Sequence, residues 1–279
     1  MDILVFYHKN CLDGLASAWA VWKEFKNKAE YISLNYQTPF DKNIKGKKIY
    51  FLDVSPNRKI LENLKKNDCE IVIIDHHLSA KNNLDLVSPG SFIMRLNMKH
   101  SASVLTWQYF FPEKKIPKSL LYIEDIDLWK FRKRFSREIV ASIDLSDIDL
   151  KEFNKLTSDI ENKERRKEYI RTGKKVVEDQ DKLIEQIVEK AKKVKIGKIK
   201  TLAANSSILI SEIGDALIKK LPPIAIIWFK AGETRRISLR SNGKVDVSKI
   251  AEKYGGGGHK CAASFVIDIG DSPPWKELT

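Results

Sequence analysis

The sequence predicts an α/β protein, with a parallel sheet in its first part and a smaller α/β unit joined to it by a linking helix. Three features carry that prediction. Short apolar runs ending in His8, Asp53 and Asp75 alternate with amphipathic stretches; a highly charged stretch with a helical apolar stripe follows at 162–193; and apolar alternation returns after it. Strands alternating with helices imply right-handed crossovers and a parallel sheet.

The first run, 3–7, reads as a short strand that hands the chain to His8, a loop over 9–14 and a helix over 15–26 rich in Ala and Trp. Residues 31–36 alternate as a second strand, 49–52 form a third that ends in Asp53, and 58–66 form a helix. Ile71-Val72-Ile73-Ile74 then runs straight into Asp75-His76-His77. Four apolar β-branched residues in a row suit a strand covered on both faces. The carboxyl ends of such strands are where open α/β sheets place their sites. Ser101 is an N-cap candidate for a helix through Phe111, and 120–129 carries the acidic cluster Glu124-Asp125-Ile126-Asp127.

Over 162–193, Ile170, Val176, Val177, Leu183, Ile187 and Val188 recur at helical spacing, which predicts a long linking helix and argues against disorder. Beyond it, a strand at 199–203 precedes an amphipathic helix at 208–220, and 224–229 and 236–240 read as paired strands around Ala231-Gly232-Glu233-Thr234. Alternation puts Arg236, Ser238 and Arg240 on one face. Asp246 can cap a helix carrying Val247, Ile250, Ala251 and Tyr254, which Gly255 to Gly258 end before His259.

Fifty Lys and Arg against 37 Asp and Glu give a formal charge of +13, which favours polyanionic partners such as nucleic acid or condensed phosphate. Cys11, Cys69 and Cys261 are scattered, so neither a disulfide framework nor a zinc knuckle is expected, and a reducing cytoplasm is. No basic leader precedes a long apolar stretch and no uncharged run approaches bilayer-spanning length, so no membrane partner is expected.

Four of the five histidines, His8, His76, His77 and His259, fall in these motifs, and His100 stands immediately before the Ser101 helix start. Carboxylates with imidazoles and no thiolate cluster suit Mn2+, Mg2+ or similar ions. A bridging carboxylate flanked by further Asp and His can hold two ions about 3.5–4 Å apart, generate hydroxide and clamp a phosphoryl group. Metal-assisted hydrolysis of a phosphoester or phosphoanhydride is therefore expected. Arg236, Ser238 and Arg240, with the glycine run beside His259 and Lys260, supply a matching anion site.

His8 with Asp13-Gly14, then Asp53, Asp75-His76-His77, Asp125 and Gly256-Gly257-Gly258-His259 resemble, in this order and with these gaps, the DHH/DHHA1 phosphoesterase superfamily in its two-domain, nanoRNase/RecJ-like form. The resemblance covers nearly the whole chain. It implies a DHH domain over 1–160, a linking helix over 161–193 and a DHHA1 substrate-binding domain over 194–279. It also implies a phosphohydrolase using two Mn2+ ions, with Mg2+ the other candidate. His8 and Asp13 would bind one ion, Asp53 both, and His76 with Asp125 the other. Asp75, His76 and His77 would be the catalytic group, with Asp75 orienting the others. Substrate would be contacted by His77, His100, Arg240, Ser241, Gly257, Gly258 and His259, of which Arg240 and His259 would hold phosphate or a terminal nucleotide.

The first motif departs from the superfamily's His-x-x-Pro-Asp-x-Asp and reads His8-Lys9-Asn10-Cys11-Leu12-Asp13-Gly14-Leu15. Either Asp13 serves the first metal and Leu15 leaves the second short of a ligand, or Asp13 replaces the missing carboxylate and Cys11 lies where the other would be. Asp127 either turns into the site or carries a helix-end charge, and Cys11 reads as a small loop residue. The expected activity is release of nucleoside monophosphates from the end of short or single-stranded oligonucleotides. Its competitors are hydrolysis of cyclic or linear dinucleotides of the second-messenger kind, cleavage of polyphosphate, and nucleic-acid binding without turnover. A second copy of the chain is a further expected partner.

Overall fold

The computed structural model describes residues 2–34, 40, 43–77, 92–143 and 148–278. The chain divides into two compact units, Met1–Val177 and Glu178–Thr279, and the division falls inside one long helix, Lys163–Glu189. Among the described residues no helix is long and apolar enough to cross a membrane.

The first unit contains strands β1 (Ile3–His8), β2 (Ala29–Leu34), β3 (Lys48–Leu52), β4 (Glu70–Asp75) and β5 (Ile93–Leu96). They form a wholly parallel sheet in the order β2-β1-β3-β4-β5. Successive residues along the strands alternate between two apolar clusters. Leu4, Phe6, Ile49, Phe51, Ile71 and Ile73 pack with Leu61 and Leu64 of the Arg58–Lys66 helix. Val5, Tyr50, Leu52, Val72 and Ile74 pack with Val21 of the Leu12–Phe25 helix and Leu105 of the Ala102–Phe110 helix. Covering both faces is what makes the strands unbroken apolar runs, and each such side chain contributes about 1.5–3 kcal/mol. Because β2 and β3 lie on opposite sides of β1, the connections diverge there. A crevice between the carboxyl ends of β1 and β3 is the place such a topology offers a ligand.

The second unit contains β6 (Lys192–Ile196), β7 (Ile199–Asn205), β8 (Ile224–Ala231), β9 (Thr234–Ser241), β10 (Gly257–His259), β11 (Ala262–Asp268) and β12 (Lys276–Glu277). Their order is β10-β11-β9-β8-β7-β6-β12, with β7 and β8 parallel and the other neighbours antiparallel. Ile224, Ile226, Ile237 and Leu239 pack on one side with Val247 and Ala251. Ala225 and Ile227 pack on the other with Ile213 and Leu217 of the Ile210–Lys220 helix and Ile184 and Val188 of the long helix.

Three elements differ from expectation. The first helix starts at Leu12, so Asp13 and Gly14 belong to its first turn, with Cys11 as N-cap residue and its carbonyl accepting the Leu15 N–H at 3.0 Å. The long helix ends at Glu189 because Lys192–Ile196 alternates with period two, burying Val194 and Ile196 and pointing lysines outward. Ser101 takes the N-cap position of the Ala102–Phe110 helix without its hydroxyl capping it. Tyr36, expected to end the second strand, lies outside the described residues.

Candidate metal centre

His8 is the last residue of β1, Asp53 follows β3, and Asp75 closes β4 ahead of His76 and His77. Parallel register sets these strand ends side by side. Asp53 adopts a left-handed backbone (φ 57°) with its N–H donated to the Ile74 carbonyl at 3.0 Å. That region costs an L-residue about 1–2 kcal/mol, and Asp is among the residues that tolerate it best.

The Asp53 carboxylate is 1% exposed and faces two ways. Oδ2 accepts the Cys11 thiol at 3.0 Å and lies 3.4 Å from His8 Nδ1. Oδ1 lies 3.3 Å from His76 Nε2 and 3.7 Å from His77 Nδ1. His76 Nε2 in turn lies 3.4 Å from Asp127 Oδ2 and 4.0 Å from Asp13 Oδ2. Donor atoms of His8, Cys11 and Asp53, of Asp53, His76 and His77, and of Asp13, His76 and Asp127 each lie within 4.8 Å of one another. Asp53 Oδ1 and His76 Nε2 are buried without a hydrogen-bond partner. Buried polar atoms are rarely left so, and a carboxylate oxygen and an imidazole nitrogen facing each other without bonding are the donors a divalent cation takes. The residues fit a metal centre.

The surrounding groups hold this arrangement. Asp75 Oδ1 accepts the His76 and His77 N–H groups at 2.7 and 3.0 Å and binds His77 Nδ1 at 2.7 Å, while Oδ2 accepts the Ser55 hydroxyl at 2.6 Å. Asp13 accepts the Ala102 and Ser103 N–H groups at 2.7 and 3.1 Å, doing the capping expected of Ser101. At Gly14 a Cβ would stand 2.5 Å from the His8 carbonyl oxygen, so only glycine lets the first helix lie against His8.

Electrostatics follow from crowding three carboxylates around imidazoles. Burial, then Asp127 and Asp53, push Asp13 up to about 8. Burial likewise pushes Asp127 up to about 6, His76 working against it. Burial would raise Asp53 too, yet the polar groups of His76, His8 and Cys11 facing it hold it below the usual carboxylate range. For His76, burial disfavours the charged ring but Asp53, Asp127 and Asp13 outweigh it and raise it to about 9. Burial, then Asp53 and Asp13, raise the Cys11 thiol.

The structure groups the expected ligands differently from the resemblance. His8 sits with Cys11 and Asp53, whereas Asp13 sits with His76 and Asp127. Leu15 is buried in an apolar cluster with Trp19 and Val104, so of the two alignments the geometry supports the one placing Cys11 and Asp13 at the site. Asp125 does not join. Its carboxylate accepts the Arg132 and Lys133 N–H groups at 2.9 and 3.0 Å and the Ser136 hydroxyl at 2.7 Å, fixing the start of the Ser136–Ala141 helix. Two residues along a helix is a rotation of about 200°, so only one of Asp125 and Asp127 can face the centre, and Asp127 does.

His100 Nδ1 binds Glu124 Oε2 at 3.0 Å, and Glu124 also takes Lys130 Nζ at 3.2 Å. In the second unit His259 pairs with Ala262, and Ala262 with Arg240, so His259 and Arg240 share one row of the sheet, on strands roughly 10 Å apart. Arg240 Nη2 donates to Ser211 Oγ at 3.0 Å, and Gly214 leaves room for its stem. Ser241 points to the opposite side, its hydroxyl donated to the Val245 carbonyl at 2.6 Å. Gly258 (φ 145°) leaves no room for a Cβ, which would meet the Ala262 carbonyl at 2.5 Å, whereas Gly257 has open space around it. Ser55 is the part of the site's surroundings that motif reading did not single out, while Cys11, also readable as a small loop residue, directs its thiol to Asp53.

A parallel sheet with His and Asp side chains at its switch point is followed by a second, mainly antiparallel unit, an architecture shared with solved structures that include a DHH domain. Residues 194–271 match the DHHA1 domain. The chain is 29% identical over 290 residues to an uncharacterized protein of Acanthamoeba polyphaga mimivirus, covering 95% of this chain and 67% of that one. Among solved structures, the pGpG-specific phosphodiesterase PggH of Vibrio cholerae superposes with a TM-score of 0.53 at 12% identity, over 97% of this chain and 95% of that one. RecJ of Thermus thermophilus, solved in complex with Mn2+, gives 0.55 at 12% identity, over 95% of this chain and 49% of that one. At these identities the likeness is one of fold.

Proposed function

We propose that this chain is a Mn2+-dependent phosphodiesterase that removes nucleoside monophosphates from the end of short or single-stranded oligonucleotides, acting in the cytoplasm. The observation that carries the nucleotide part is the pair Trp129 and Phe131, two and four residues after Asp127. Their rings meet edge to face at 4.7 Å and are 40% and 42% exposed. Both backbones are left-handed, at φ 55° and 48°, a conformation costly for bulky residues and so a pointer to function. Arg132, Lys133 and Arg134 follow at once. Exposed aromatics beside a basic run suit stacked bases and a phosphate backbone, and polyphosphate has no base to stack. The likeness to the pGpG-specific phosphodiesterase PggH supports a phosphodiester substrate.

In this reading His8, Cys11 and Asp53 would hold one ion and Asp13, His76 and Asp127 the other, with the Asp53 carboxylate lying between the two groups. Bound ions would supply a hydroxide nucleophile at neutral pH and charge to neutralise the phosphoryl oxygens. The protein's own groups position and donate. Burial opposes charge on His77, but its hydrogen bond to Asp75 overcomes that and raises its pKa. His77 is thereby a proton donor to a phosphoryl or leaving oxygen, and Asp75, tied to Ser55, fixes its ring. Residues 1–160 are the catalytic DHH domain, 161–193 the linker, and 194–279 the substrate-binding domain, whose Arg240 and His259 row holds terminal phosphate.

The test is a Mn2+-supported assay of the purified chain across short oligonucleotides, cyclic and linear dinucleotides and polyphosphate. Release of mononucleotides from oligonucleotides, lost in His76→Ala, is expected. Turnover of polyphosphate or dinucleotides alone would replace the reading. Salt-sensitive nucleic-acid binding without turnover would mark a binding protein instead.

A further inference from the structure

The two ends of the centre carry different chemistry. Around Asp13, His76 and Asp127 every donor is nitrogen or carboxylate oxygen, whereas the group of His8, Cys11 and Asp53 offers a thiol sulfur. Cys11 is placed there by the fold. It is the N-cap residue of a 14-residue helix, makes no side-chain capping bond, and directs Sγ to Asp53 Oδ2 at 3.0 Å, the oxygen that also faces His8 Nδ1 at 3.4 Å. The other oxygen of the same carboxylate is a buried acceptor without a hydrogen bond. A cavity of about 170 Å³ lined by Tyr7, His8, Asn10 and Cys11 gives access to this end.

We propose that the centre is asymmetric: the end made by His8, Cys11 and Asp53 binds a thiophilic divalent ion of the Zn2+ or Co2+ kind through the Cys11 thiolate, and the end made by Asp13, His76 and Asp127 binds a hard ion such as Mn2+. The inference rests on the metal-centre reading above. Thiolate ligands select softer ions, and carboxylate-rich sites harder ones. On binding, the S–H bond breaks, a metal–sulfur bond forms and the proton leaves to solvent, so no redox partner is involved. Asp53 Oδ2 would then lose the thiol proton it accepts.

Cobalt supplies a readout independent of turnover. The full-length, metal-free chain titrated with Co2+ is expected to gain a near-ultraviolet sulfur-to-cobalt charge-transfer band alongside the visible d–d bands. That band is expected to survive Cys69→Ser, whose Sγ lies near backbone carbonyls of Ile44 and Asn67, and to be lost in Cys11→Ser. In Cys11→Asp, retained d–d bands would show a folded, occupied site, while the charge-transfer band is lost and competition shifts from Zn2+ towards Mn2+. Bound Co2+ without the band in the unaltered chain, or a band that persists in Cys11→Ser, overturns the proposal and leaves the metal centre standing. Failure to bind any divalent ion overturns both.

Discussion

Asp13 caps the helix that begins at Ala102, accepting its N–H at 2.7 Å through Oδ2, the same oxygen that lies 4.0 Å from His76 Nε2. One carboxylate thus ties the end of a helix to the candidate metal centre, and the two roles can be separated. Asp13→Ala removes the acceptor of two buried N–H groups and is expected to cost about 1–3 kcal/mol. Asp13→Asn keeps one carbonyl oxygen, enough for one of the two N–H groups, and is expected to cost less than Asp13→Ala. Both should weaken metal binding. Urea unfolding with parallel metal titration checks this; equal destabilisation by the two variants would deny the cap.

Stability without metal should fall as pH rises. Asp13 and Asp127 titrate at about 8 and 6 in the folded chain, above their ordinary value of 3.8, and His76 at about 9, above 6.5. Each folded pKa is raised, so the stability these groups confer is complete below the unfolded value and lost as pH climbs through the folded one. The window runs from about pH 4 to 9. A divalent ion displaces these protons, so its stabilising effect should grow with pH across the same range. Thermal melts from pH 5 to 9, with and without Mn2+, would show it; a metal effect that shrinks as pH rises would count against the centre.

Asp125 and Asp127 should separate cleanly. Asp125→Ala strands the Arg132 and Lys133 N–H groups and leaves the Ser136 hydroxyl only the Lys133 carbonyl, at an expected cost of about 1–3 kcal/mol, with metal stoichiometry unchanged. Burial would raise the Asp125 pKa, but the hydrogen bonds from Lys133, Ser136 and Arg132 lower it. Its contribution is therefore present above about pH 4 and lost as pH falls below. Asp127→Asn is expected to leave stability nearly intact and to weaken the ion at its end of the centre. Calorimetry of both variants with Mn2+ distinguishes them, and loss of metal in the Asp125 variant alone would reverse the assignment.

Trp129→Gly tests the aromatic pair against its own strain. Glycine accepts a φ of 55° without penalty, so the variant should be as stable as the parent or more so. Loss of a stacked base should weaken oligonucleotide binding by about 1–3 kcal/mol. A higher KM with kcat retained is the expected kinetic result, and an unchanged KM would remove the pair from the substrate path.

Much of this was legible along the chain. Strands buried on both faces must be apolar throughout, so the runs ending at His8, Asp53 and Asp75 announce themselves, and a parallel sheet brings such ends to one edge. Gly214 shows where reading stops: nothing local says that it makes room for Arg240 twenty-six residues later. The lysine-rich strand Lys192–Ile196 was hidden for another reason. Its period-two pattern is short and abuts a helix whose stripe of Ile and Val reads onward into it.

By itself the sequence determined the α/β class, the carboxylates and imidazoles at strand ends, and the glycine-rich DHHA1 signature, because each depends on local periodicity or on residue type. Only the tertiary structure decided which of these side chains lie together. That choice turns on packing across long separations: Cys11 reaches Asp53 and Asp127 reaches His76, while Asp125 is taken up by the Arg132 to Ser136 turn. Side chains two residues apart on a helix carry the same chemistry in sequence and face opposite sides in space.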